Sequence, residues 1–251
     1  MRTLKIEVRR VYRSHILLLS IALLILIAFL GIILNNIYYV SKGDSRFLLL
    51  SLYNSFTQFS YLILTYIFVS VFCKDFQNGV YIWYQQLGYS FKNVIISKFI
   101  SLLSIILPVL TIIFVIAQIF SGNKDYKFFI TSLICVNLNI IYIITLSFFL
   151  SVVFRKIIVT TLVMYGIYIL GNGLNLWFYG IFNPADSNSI AAYYFAKLIN
   201  TAQFHYSLGK TNLSDSILCA GSIIVPIMWS VLLVAAAICI KKYRKELGVA
   251  V

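Results

Sequence analysis

The chain has 251 residues, of which 61% are hydrophobic and only 11% carry a charged side chain. A soluble globular domain carries about 25% charged residues, so this composition excludes an ordinary soluble protein. The net charge of +13 is spread over the segments between apolar stretches. No basic patch stands on a soluble domain, and we therefore predict no nucleic-acid partner.

Six apolar stretches are each long enough to cross a bilayer, and we predict that all six are helices. About 20 helical residues, rising about 1.5 Å each, cross a hydrocarbon core of about 30 Å. A helix satisfies its own backbone groups inside the membrane, and the stretches do not alternate as barrel strands do. The predicted spans cover residues 16–37, 47–73, 99–120, 128–154, 157–176 and 217–240. The prediction is an all-α polytopic membrane protein with one transmembrane domain, 1–251.

The distribution of lysine and arginine predicts the orientation of the spans. With the N-terminus in the cytoplasm, fourteen of these residues fall in cytoplasmic segments and six fall outside. We therefore predict that both termini and the loop 74–98 are cytoplasmic, and that the segment 177–216 is an outer loop.

Residues 1–13 are predicted to form an amphipathic helix before the first span. Leu4, Val8, Val11 and Tyr12 share one face, and basic residues lie off it. Such a helix is expected to lie at the membrane surface. The alternative is an ordinary basic flank of the first span.

The loop 74–98 is predicted to contain a second amphipathic helix. Val80, Trp83, Tyr84, Leu87 and Phe91 recur at a helical spacing and form one apolar stripe. We expect this short helix to lie on the inner face of the membrane.

Ionisable residues are absent from the interiors of all six predicted spans. Ion-coupled transporters and proton relays usually place such groups inside the membrane, so this absence disfavours both. No catalytic set and no metal-binding spacing of cysteine or histidine is present. Gly209-Lys210-Thr211 resembles the end of a phosphate loop, but Phe204 stands where its first glycine is required. We predict no catalytic residue, metal or cofactor in this chain.

Uncharged polar residues within the spans have two interpretations. They form hydrogen bonds between helices, or they line a substrate path or a subunit interface. The candidates for a path are Asn54, Thr57, Gln58, Asn137 and Asn172.

The loop 74–98 also carries a resemblance to a known family. Asp75 ends the second span, Gly79 follows four residues later, and the short helix leads to Ser90 and to Lys98 at the start of the third span. This order resembles the coupling region of type-2 ABC transporter permeases, although that family usually has glutamate where this chain has Asp75. The resemblance implies a cytoplasmic coupling helix, with ATPase-coupling residues at Asp75, Gly79, Tyr81, Trp83, Ser90 and Lys98.

The rest of the chain is similar to that family in size, span count and N-terminal helix. Its long outer segment has a helix start at Pro184-Ala185-Asp186-Ser187. Family members have short re-entrant or outer helices there, which implies an outer gate at Tyr193, Tyr194 and Phe204.

The resemblance implies the membrane subunit of an ATP-driven exporter in a bacterial cytoplasmic membrane. Its partners would be two copies of a separate ABC ATPase, which hold ATP and Mg²⁺, and a second permease, identical or similar. The expected cargo is an amphipathic or hydrophobic substrate, either a peptide such as an antimicrobial peptide or a lipid-like molecule. Two alternatives stay open: an ATP-independent transporter or channel, and a membrane scaffold without transport activity.

Overall fold

The structure, a computed structural model, describes residues 2–12, 15–38, 45–178, 180–186, 188–199 and 214–246. Every regular element within these ranges is a helix, which confirms the predicted all-α class. The helices in chain order are α1 (Arg2–Tyr12), α2 (His15–Tyr38), α3 (Arg46–Gln77), α4 (Val80–Gln86), α5 (Phe91–Ser121), α6 (Tyr126–Phe154), α7 (Ile157–Trp177), α8 (Ile190–Ile199) and α9 (Asp215–Glu246).

Six of these helices, α2, α3, α5, α6, α7 and α9, are long and apolar enough to cross a membrane. By length and composition the chain is therefore a multi-pass membrane protein, as predicted. Two helices extend beyond the predicted spans, since α3 continues to Gln77 and α5 already begins at Phe91. The loop 74–98 consequently consists mostly of helix, and only two short turns flank α4.

The centre of the bundle is formed by α3 and α6. In the apolar 18-residue stretch of each of these two helices, about two thirds of the residues are buried within the protein. The corresponding share in the other four long helices is 22–33%. α3 packs against α2, α6 and α7, and α6 also packs against α9. The four outer helices expose apolar side chains, which is the arrangement expected where the surrounding solvent is lipid.

The first helix and the last part of α9 both contact α5 at one end of the bundle, which we call the α4 end. α1 packs against α5, and the ammonium of Lys241 on α9 lies 3.2 Å from the ring centroid of Phe91 at the start of α5. The opposite end carries α8 and is called the α8 end.

The face that α1 buries within the protein is offset from its predicted apolar face of Leu4, Val8, Val11 and Tyr12. Thr3, Glu7 and Val11 are the buried residues of this helix, whereas Tyr12 is 53% exposed. α1 turns a partly polar face towards the bundle, because Thr3 accepts a hydrogen bond from Ser97 on α5 and Glu7 accepts one from Tyr84 on α4.

The predicted stripe along α4 was wrong in part. α4 ends at Gln86, so Phe91 belongs to the next helix. Tyr81 and Tyr84 are the buried residues of α4. The stripe fails because the chain turns between the two helices through Gly88, whose φ of 79° is left-handed.

Candidate functional site

The candidate site lies at the α4 end, where four helices are joined by buried charged and polar side chains. Asp75 occupies the last turns of α3 and is 7% exposed. Lys98 lies two turns into α5. It is fully buried and pairs with the Asp75 carboxylate. Its ammonium also donates to the carbonyl oxygen of Val71 at 3.1 Å. A buried lysine requires such partners, since an unpaired charge would cost several kcal/mol.

A second cation approaches the same carboxylate from α1. The guanidinium of Arg10 donates to Asp75 Oδ2 at 2.7 Å, and it lies 3.4 Å from Glu7 Oε2 on its own helix. Asp75 therefore ties α1, α3 and α5 together through two basic side chains.

Glu7 connects this ionic group to α4. It is fully buried, and the hydroxyl of Tyr84 donates to Glu7 Oε1 at 2.8 Å. Burial and the hydrogen bond to Glu7 both raise the pKa of Tyr84, so its phenol stays protonated and remains a donor. We call Glu7, Arg10, Asp75, Tyr84 and Lys98 the charge cluster.

Aromatic rings cover the charge cluster on one side. The ring of Tyr81 lies 4.4 Å from that of Phe76 and 5.3 Å from that of Phe91, measured between centroids. The ammonium of Lys98 is 5.9 Å from the Tyr81 ring, and that of Lys241 is 5.5 Å from it. Burial, reinforced by Asp75, raises the pKa of Tyr81 well above its usual value. Tyr81 thus covers this side of the cluster, and its ring lies near two cations.

Glycine permits the turn that leads from α3 into α4. Gly79 has a φ of 64°, a left-handed conformation, and an added Cβ there would meet no atom within 4 Å. Glycine is needed at this position for its backbone conformation and not for space. The turn returns α4 alongside the end of α3.

α4 and the residue that follows it expose three apolar side chains. Ile82, Trp83 and Leu87 are 42%, 50% and 52% exposed. We call these three residues the α4 patch. Trp83 and Leu87 are four residues apart and so share one side, and exposed apolar side chains of this kind are found at interaction surfaces.

The structure brings together some of the residues that the sequence singled out. Asp75 and Lys98 form an ion pair, and Tyr81 lies over it. Ser90 caps α5, since its hydroxyl accepts from the backbone N–H of Asn93 at 3.3 Å. Trp83 is separate from the ion pair and faces outward.

Three members of the charge cluster were missed as site residues: Glu7, Arg10 and Tyr84. Glu7 could have been identified from the sequence, because it is the only acidic residue in the first 43 positions and Arg10 follows it at i+3. The hydrogen bond from Tyr84 joins residues 77 positions apart and has no local signal.

The predicted path residues are not gathered by hydrogen bonds into one polar site. Thr57 donates to the carbonyl oxygens of Tyr53 and Asn54 within its own helix, and Asn137 donates to Leu133 on its own helix. Asn172 accepts from Asn188 in the segment before α8, and Gln58 is half-buried. These contacts favour hydrogen bonding within and between elements as their first role.

Two of the three residues predicted to form an outer gate lie on α8. Tyr193 and Tyr194 are both 2% exposed, while Phe204 lies outside the described residues. Phe195, which the sequence did not single out, is the centre of the packing. Its ring lies 4.7 Å from that of Tyr53 on α3 and 5.2 Å from that of Phe128 on α6. α8 is therefore a buried helix held among the spans by aromatic contacts.

A network of amides connects α7 to α8. Asn175 donates to the carbonyl oxygen of Asn183 at 2.9 Å and to Asp186 Oδ2 at 3.2 Å, and its own Oδ1 accepts from the Asn183 N–H at 3.0 Å. Gly171 leaves room for the network, since a Cβ there would lie 2.8 Å from the Asn183 Cβ. The helix that we predicted to start near Pro184 begins at Ile190. Asn183 and Asp186 bond instead to Asn175, in the turn that precedes the helix.

Within the described residues, no group of three or more His, Cys, Asp or Glu side chains is arranged to hold a metal ion. No family model matches the chain, and neither a curated protein nor a solved structure matches it. The permease resemblance therefore stays a prediction, and what the structure adds to it is the geometry of the two ends.

Proposed function

We propose that this chain is the membrane subunit of an ATP-driven ABC exporter. In this proposal it pairs with a second permease, identical or similar, and receives two separate ATPase subunits that hold ATP and Mg²⁺. The α4 end faces the cytoplasm, and the chain lies in a bacterial cytoplasmic membrane.

The observation that carries the proposal is the arrangement of α4 between a buried ionic group and an exposed apolar surface. The α4 patch faces outward, and a tryptophan with apolar neighbours is the kind of residue that anchors a protein partner. Tyr84, whose ring lies 5.0 Å from that of Trp83 between centroids, is bonded to Glu7, which joins α4 to the charge cluster. A partner that pushes on the patch would act through this cluster on α3 and α5.

The cargo proposed is hydrophobic or amphipathic, for example an antimicrobial peptide. The interiors of the six predicted spans contain no ionisable residue that would bind an ion. Aromatic side chains hold α8 among the spans at the opposite end, and movement of this helix would open an exit. We propose that ATP-driven closure of the partner subunits at the α4 end is coupled to that movement.

The test is to purify the tagged chain from its native membranes in mild detergent and to quantify the proteins that co-elute. A stoichiometric ATPase subunit is expected. Trp83→Ala is expected to reduce its recovery by about 30-fold, the effect of losing an interface residue worth about 2 kcal/mol. Trp177→Ala is the matched control, since Trp177 is 82% exposed at the α8 end and should leave recovery unchanged.

Two outcomes would contradict the proposal. If the wild-type chain elutes without an ATPase, the alternatives of a channel, an ATP-independent transporter or a scaffold are favoured. If an ATPase elutes equally with wild type and with Trp83→Ala, the α4 patch is not its docking surface.

A further inference from the structure

A groove of about 470 Å³ runs between α5, α6 and α9, in the half of the bundle nearest the α4 end. Its walls are apolar side chains of α5 and α9, and Thr145 of α6 contributes to the lining. Ile96 and Ile100 on α5 are 46% and 45% exposed, and Val231 on α9 is 62% exposed. The groove therefore opens on the outer surface of the bundle, where hydrocarbon chains of a bilayer would lie.

Positive charge is concentrated at one end of this groove. Lys92 is exposed and lies one helical turn before Ile96, on the same side of α5. Lys241 lies one turn after Ile238 on α9, and its ammonium contacts the Phe91 ring at the start of α5. The first turn of α5 adds the partial positive charge of a helix N-terminus.

Two acidic residues of the α4 end, Asp75 and Glu7, are engaged with other partners. Asp75 pairs with Lys98 and Arg10, and Glu7 accepts from Tyr84 and lies 3.4 Å from Arg10. An anion at the mouth of the groove would meet Lys92 without competition from these two carboxylates.

We propose that this groove binds an anionic phospholipid, with one acyl chain along Ile96, Ile100, Ala235 and Ile238 and the phosphate beside Lys92. The apolar wall would hold the acyl chain, and the positive mouth would hold the phosphate. The chain and the phosphate of a lipid follow the same order along the membrane normal. A second copy of the chain fits less well, since a symmetric contact here would bring the lysines of both copies together. The site does not depend on the proposed transport function.

The experiment is native mass spectrometry of the full chain, purified in detergent and titrated with phosphatidylglycerol or with phosphatidylcholine of the same acyl chains. Phosphatidylglycerol is expected to bind wild type at least about fivefold more tightly, and Lys92→Gln to remove about that factor, the effect of one lysine near a membrane surface. Ala235→Phe, which extends into the groove from an exposed position, is expected to weaken both lipids.

The matched control is Lys156→Gln, which removes the charge of an exposed lysine between α6 and α7, away from the groove. It should leave both affinities unchanged. Equal binding of the two lipids would overturn the proposal, because the groove would then recognise acyl chains without regard to charge. An equal loss in Lys92→Gln and Lys156→Gln would overturn it in favour of general charge attraction. Unchanged lipid binding by Ala235→Phe would overturn it too, and a loss of dimers in that variant would assign the groove to a second copy.

Discussion

The two ends of the bundle bury polar groups in different ways. At the α4 end, ionised side chains from α1, α3 and α5 meet with a phenol from α4, and their sequence separations reach 77 positions. At the α8 end, the uncharged amide of Asn175 on α7 bonds to the segment that immediately follows, including the buried carboxylate of Asp186, and aromatic rings supply the long-range contacts. Stability at the α4 end should thus depend on keeping charges paired, and at the α8 end on local geometry and packing.

Removing the shared carboxylate should have the largest effect. Asp75→Ala leaves the buried Lys98 without its counter-ion, and we expect a loss of about 3–5 kcal/mol in the free energy of unfolding. Thermal unfolding in detergent measures it. The control, Asp125→Ala, removes the side-chain cap of α6 and should cost about 1 kcal/mol.

A double variant tests whether the ion pair itself is responsible. Asp75→Ala combined with Lys98→Met removes both charges and should recover much of the lost stability, because no unpaired charge remains. Additive losses in the double variant would show that the two residues act independently.

Alanine substitution of two glycines with similar backbone conformations allows a direct comparison of the two ends. Gly180 has a φ of 77°, and a Cβ there would lie 2.2 Å from the backbone nitrogen of Ile190. Gly180→Ala should therefore cost about 3–4 kcal/mol through strain and overlap. Gly79→Ala, with a φ of 64° and open space around it, should cost about 1–2 kcal/mol. Similar melting temperatures of the two variants would contradict the packing described for the α8 end.

Loss of a single hydroxyl at the α4 end should have a smaller effect. Tyr84→Phe removes the donor to the buried Glu7 and is expected to cost about 1–3 kcal/mol. Tyr126→Phe is the control, since Tyr126 is 68% exposed and should change stability little. An unchanged melting temperature for Tyr84→Phe would show that Glu7 does not need this bond.

The smallest expected effect is a pH dependence at alkaline pH. The pKa of Tyr84 is raised in the folded protein, so above the ordinary value of about 10 the unfolded chain loses this proton first. The stabilisation is complete below pH about 10 and is lost as pH rises further. The melting temperature of wild type should fall above pH 10 more steeply than that of Tyr84→Phe. Parallel curves would contradict the raised pKa.

The sequence predicted those features that depend on one segment at a time. The length and composition of the apolar stretches predicted six spans, and helical periodicity predicted α1 and α4 as separate short helices. The spacing from Asp75 to Lys98 indicated that both residues flank one loop, and the structure joins them in an ion pair. Gly79 was singled out only by the resemblance, and the structure shows that its left-handed conformation forms the turn into α4.

Only the tertiary structure decided which neighbour covers each face. Periodicity places Thr3, Glu7 and Val11 on one side of α1, but it does not reveal that this side meets α4 and α5. Phe195 looked like any other apolar residue until α3 and α6 enclosed it. The physical reason is that a charge or a ring is stabilised by partners distant in the chain, and the identity of those partners is set by how whole helices pack.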